Sequence, residues 1–140
     1  MNYGSPYAYP GLKIPRVKYQ VEDRGKERLN LTYENVLSAA IKIINKKNST
    51  NYTREDVLSK SRVRDIVEIR QCAMFILVSN RIGTLKGIGK FFGGRDHSTV
   101  IHGNRNWGDL CDTDKLFRDF TQRVMDEIRM DNIAKRIEEL

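Results

Sequence analysis

A chain of 140 residues, 39% hydrophobic and 31% charged, is long enough for one domain with a real core and too short for two ordinary ones, and its composition excludes a disordered chain. The net charge of +7 argues for an anionic partner, and the excess is concentrated: residues 60–105 carry nine basic and three acidic side chains, whereas residues 106–140 carry six and nine. No apolar run approaches a membrane span, MNYGSPYAYPGLKIP lacks the apolar stretch of a secretory signal, and Cys72 sits inside the apolar run CAMFILV, so a reduced cytoplasmic location is expected for a chain whose only other cysteine is Cys111.

Residues 1–30 hold all three prolines (Pro6, Pro10, Pro15), four tyrosines and the mixed-charge run EDRGKER. They read as an extended arm that is disordered, packs on the domain or takes a protein partner. From Thr32, a plausible cap, Tyr33, Val36, Leu37, Ala40, Ile41 and Ile44 follow helical spacing. In NYTREDVLSK, Thr53 and Asp56 form the pattern of a capping box at the head of a short helix. Ser61 to Arg64 reads as a loop, followed by a long helix from about Asp65 to Arg81 with Ile66, Ile69, Ala73, Ile76 and Leu77 inward and Gly83 as its stop. A short helix, TLKGIGKFF, a Gly93-Gly94 turn, a helix from Arg95–Asp96 to about Leu110, and a last helix from near Asp112-Thr113 complete the chain. Phe117, Phe120, Val124 and Ile128 are in phase on that last helix. No strand alternation is present, and the fold class is all-α, a helical bundle over residues 31–132 with 133–140 as its C-terminal helix end.

The segment FFGGRDHSTVIH puts Arg95, Asp96, His97, Ser98 and Thr99 directly after a glycine turn. A short helix, a turn and a second helix headed by polar residues is the outline of a helix-turn-helix, whose second helix meets base edges in the major groove. Base edges use such diversity: Asp96 accepts from cytosine or caps the helix, His97 and Ser98 donate or accept, Thr99 offers a methyl to thymine, and Arg95 reaches phosphate or guanine. Val100, and His102 with it, turn back towards the core, His102 as a partly buried, hydrogen-bonded histidine.

The run IGKFFGGRDHSTVIH, with RQCAMFIL and DVLSKSRVR upstream, resembles the C-terminal DNA-binding domain of the bacterial replication initiator DnaA over roughly residues 33–129. The resemblance implies a Trp-repressor-like helix-turn-helix bundle that binds double-stranded DNA at a box of TTATNCACA type and acts in replication initiation or its regulation, in the nucleoid. It also implies roles. Arg95, Asp96, His97, Ser98 and Thr99 would supply major-groove and adjacent backbone contacts, and Arg62 would enter an A·T-rich minor groove with Lys60 and Arg64 near phosphates. Arg70 and Gln71 would hold the DNA backbone. The chain departs from the family pattern at Ser61 and Val63 in the basic loop, at Asp65, Glu68 and Ile69, at Ser98 where threonine is frequent, and at Gly103 where alanine is frequent. Gly103 would loosen its helix by about 1 kcal/mol.

Other chemistries fit the residues less well. GTLKGIGKF has Gly83 one position too early and Phe91 in place of the hydroxyl of a phosphate loop, so no nucleotide is expected, and 140 residues leave no room for the ATPase module of an initiator. His97 and His102 lie about 140° apart on a helix, too far for a shared metal. Asp96-His97-Ser98 are consecutive and cannot converge as a triad, so neither enzyme nor cofactor is expected. A transcriptional regulator of phage or plasmid type is one alternative, and a non-enzymatic adaptor working through the N-terminal arm is another. Phe92 is expected in the core, while Trp107 is left between core and surface.

Overall fold

A computed structural model describes residues 30–140; the rest of the Tyr/Pro arm, with the protein partner expected for it, lies outside the described residues. The described residues form six helices and no strand: α1 (Tyr33–Asn48), α2 (Arg54–Leu58), α3 (Arg64–Ser79), α4 (Leu85–Phe91), α5 (His97–Thr113) and α6 (Lys115–Glu138). None is long and apolar enough to cross a membrane.

The helix starts follow from local chemistry. Thr32 Oγ1 accepts from the Asn35 amide (3.1 Å) while Asn35 Oδ1 accepts from the Thr32 amide (2.8 Å), closing a capping box on α1. Thr53 and Asp56 do the same for α2, at 3.3 and 2.9 Å. Each box satisfies two amide donors that the first helical turn leaves without a partner. Asn30, the first described residue, donates its amide to Asn132 Oδ1 on α6 (3.1 Å).

α3 is the centre of the bundle, packed against α1 on one side and α5 on the other, with α6 lying across α1 and α5. Its helical spacing marks one inward face, yet every residue from Cys72 to Ser79 is buried. A helix buried around its whole circumference has lost the polar stripe that periodicity detects. α3 stops at Ser79, two residues short of the expected Arg81. Arg81 itself takes the left-handed conformation (φ +59°), and the Ile82 amide donates back to the Leu77 carbonyl (2.9 Å). That is the six-to-one bond of a Schellman ending, with arginine where glycine is usual. Gly83 (φ +74°) is needed for another reason: a Cβ there would collide with the Tyr33 hydroxyl.

α5 runs to Thr113, three residues beyond the expected end, and a single residue, Asp114, separates it from α6. The Asp114 amide donates to Leu110 O (2.8 Å) and its carboxylate accepts from the Leu116 amide (2.9 Å), so one residue closes one helix and opens the next. Trp107 belongs to the core. It is fully buried, set edge-on to Phe117 and Phe120, and its Nε1 donates to Thr121 Oγ1 (2.8 Å). Cys72 and Cys111 are free thiols buried against the same hydroxyl, 3.9 and 3.4 Å from it, and burial pushes both well towards the protonated form, Cys111 to about 11. Phe92 is buried as expected.

Candidate nucleic-acid interface

The turn between α4 and α5 is closed by backbone contacts that only glycine permits. Gly93 (φ +89°) and Gly94 (φ +79°) reverse the chain, and the Arg95 amide donates to Gly89 O (2.8 Å). A Cβ on Gly89 would strike the Arg95 carbonyl, and one on Gly93 would strike the Leu58 carbonyl at the end of α2. The turn is therefore pressed against both α4 and α2.

Asp96 caps α5. Its Oδ1 accepts from the Thr99 amide (3.0 Å) and the Thr99 hydroxyl (3.2 Å), and those bonds hold its carboxyl below the usual carboxylate range. Of the two uses open to Asp96 in the sequence, capping is the one the fold displays. His97, Ser98 and Thr99 are exposed around the first turn, and Val100 closes the core beneath them. His102 is exposed too, contrary to the expectation that it turns inward. From Thr99 it follows at i+3, with Asn106 at i+7, so both extend the polar face along α5; that spacing was the signal for including them. Where a core histidine was expected, Gly103 faces the bundle instead, 3.6 Å from Gln71 Cγ and 3.7 Å from Met74 Sδ as measured from the position of an added Cβ.

Beside α5 lies the α2–α3 loop. Its backbone is held by a ladder of serines: Ser59 Oγ donates to Asp56 O (2.6 Å), the Ser61 amide to Ser59 Oγ (3.1 Å), and the Val63 amide to Ser61 Oγ (3.2 Å). Ser61 thus has a local task in holding the loop. Lys60, Arg62, Val63 and Arg64 are all exposed. Arg64 Nε reaches Glu68 one turn on (3.1 Å) with its side chain 85% exposed, and Asp65 accepts from the Tyr52 hydroxyl (3.1 Å). The two acidic departures are thereby engaged by neighbours.

Arg70 and Arg95 face the other way. Arg70 is 7% exposed, and its guanidinium donates to the carbonyls of Val57 (3.1 and 3.0 Å), Ser59 (3.1 Å) and Ser61 (3.2 Å). Burial, with repulsion from Arg95, brings it down to about 10. Arg95, half-buried, donates to Phe92 O and through Nη2 to Ser59 O (2.9 Å), so two guanidinium groups share one carbonyl oxygen. Both border an open depression of about 290 Å³ between α3 and α5, with Gln71, Thr99, His102 and Asn106 on its walls. Gln71 Oε1 accepts from Asn106 Nδ2 (2.9 Å) across it. Among the described residues no group of three His, Cys, Asp or Glu side chains could hold a metal ion.

A short capped helix, a two-glycine turn and a second helix whose exposed first turn is polar, flanked by a cationic loop, define a helix-turn-helix domain. Residues 41–106 match the family model of the bacterial DnaA protein helix-turn-helix. The chain is similar to the chromosomal replication initiator protein DnaA of Oenococcus oeni, at 33% identity over 81% of this chain and 23% of that protein. It is also similar to that of Bacteroides fragilis, at 28% over 74% of this chain and 21% of the relative, and to that of Brucella abortus, at 44% over 46% and 13%. The chain thus spans less than a quarter of the length of these curated relatives, and it carries a helix-turn-helix domain of the bacterial DnaA family.

Proposed function

We propose that this chain binds double-stranded DNA with sequence preference, at a site of the DnaA-box type, and acts in replication initiation or its control. The observation that carries the reading is the exposed turn His97-Ser98-Thr99, at the head of a capped helix, beside an exposed cationic loop. His97, Ser98 and Thr99 would meet base edges in the major groove, where each offers a different donor, acceptor or methyl pattern. Arg62 would enter the adjacent minor groove, with Lys60 and Arg64 against phosphates. Gln71, His102 and Asn106 border the depression that a sugar-phosphate strand would cross, and Arg70 contributes its charge from beneath. Asp96 acts by holding the recognition turn.

The test is fluorescence anisotropy of the chain on a TTATCCACA duplex and a scrambled duplex across a salt series. A preference for the box that persists as salt rises is expected, because phosphate contacts fade with salt while base contacts are retained. His97→Ala and Arg62→Ala should each weaken specific binding by about 1–3 kcal/mol and random-duplex binding much less. Equal losses on both duplexes would sink the claim of base readout.

A further inference from the structure

We infer that Arg95 is a positioning residue, which clamps the cationic loop to the head of the recognition helix so that the two are presented to DNA as one rigid unit. The inference rests on the DNA-binding reading above, but its geometry is independent of it. Arg95 lies one residue before the Asp96 cap, at the start of α5. Its guanidinium bonds Phe92 O within the turn and Ser59 O at the exit of α2, 36 residues away in sequence. Ser59 is where the loop begins: its hydroxyl holds the Ser61 amide, and Ser61 Oγ holds the Val63 amide. Arg70 grips the same segment from below through Val57, Ser59 and Ser61. The near-contact of Gly93 with Leu58 O closes the seam.

Among these contacts Arg95 is the side chain that ties the loop to the helix entering the major groove; Arg70 ties it to α3. A fork of fixed N–H donors spans two carbonyls in a way an ammonium cannot. The consequence is energetic coupling. With the clamp intact, docking α5 delivers Arg62 to its groove already ordered; with the clamp broken, ordering the loop must be repeated at each binding event.

The experiment is a double-mutant cycle on the box duplex, with Arg62→Ala made in the parent chain, in Arg95→Gln and in Thr121→Val, the last a core change that removes a hydroxyl bonded to Trp107 and Phe117 and to neither the loop nor Arg95. Arg62→Ala should weaken binding by about tenfold or more in the parent and in Thr121→Val, but by less than about twofold in Arg95→Gln. The same tenfold factor in all three backgrounds overturns the clamp. Amide hydrogen exchange of the free chain gives a readout without DNA. Arg95→Gln should speed exchange at Ser61 and Val63 while leaving the buried turns of α6 protected, and Arg95→Lys should fall between. Unchanged protection of the loop amides overturns the proposal even where DNA binding is lost. Should Arg62→Ala cost nothing in the parent chain, the DNA-binding reading falls instead, and the exchange result alone decides the clamp.

Discussion

Five arginine or lysine positions crowd one side of this domain, and they divide into two groups that chemistry alone would not separate. Lys60, Arg62 and Arg64 point into solvent; Arg70 and Arg95 point into the protein and give their donors to backbone carbonyls. What divides them is the supply of unmet acceptors. The end of α2 leaves the carbonyls of Val57, Ser59 and Ser61 without helical partners, and a guanidinium is the side chain able to serve several at once. A cation beside such an end becomes part of the scaffold, and one further along the loop stays available. Charge counted along a sequence therefore overstates the surface presented to an anion.

The sharpest way to break this division is Arg70→Ala. It should cost about 3 kcal/mol of unfolding free energy, read from urea denaturation, because the buried Val57 carbonyl and the Ser61 carbonyl lose the guanidinium that serves them and Ser59 keeps only Arg95. Arg70→Lys should recover little of it. Arg62→Ala should do the reverse, shifting stability by less than about 0.5 kcal/mol while weakening specific DNA binding as set out above. Thr121→Val sharpens the same contrast from within the core. It leaves the Trp107 indole N–H unpaired in the core and should cost about 1–3 kcal/mol in thermal unfolding, with no change in the ratio of specific to random binding. Asp96→Ala removes the α5 cap and should cost about 1 kcal/mol. The smallest effect is a gain: Gly103→Ala should stabilise by about 0.5–1 kcal/mol, since an added methyl meets Gln71 and Met74 at ordinary contact distances. A loss of stability there would overturn the reading that the space beside Gly103 accepts a methyl.

Much of the fold was legible in the chain, for reasons that differ by element. Thr32 and Thr53 announced their helices because a capping box is a local pattern three residues wide. The end of α3 was missed because Arg81 adopts a conformation that glycine usually supplies, while Gly83 is committed to making room for Tyr33. His97, Ser98 and Thr99 were readable as an exposed turn from their own sequence. His102 was expected to turn inward with Val100, yet two residues along a helix place it on another face, and it is exposed. The reach of Arg95 to Ser59 had no local signal, since Ser59 belongs to a different helix end. Residues held by neighbours in sequence were legible; residues held by distant carbonyls were not.

Asp114 carries a mechanical consequence. A joint of one residue between two long helices has no slack, so the rotational phase of α6 is dictated by where α5 stops. Each residue inserted there would turn α6 by about 100°, carrying Phe120, Val124 and Ile128 off the interior. The surroundings of Trp107 would be emptied with them. Length at this corner is constrained as tightly as composition is in the core, and a homologue with one residue more or fewer between these helices would need a different set of inward positions along its last helix.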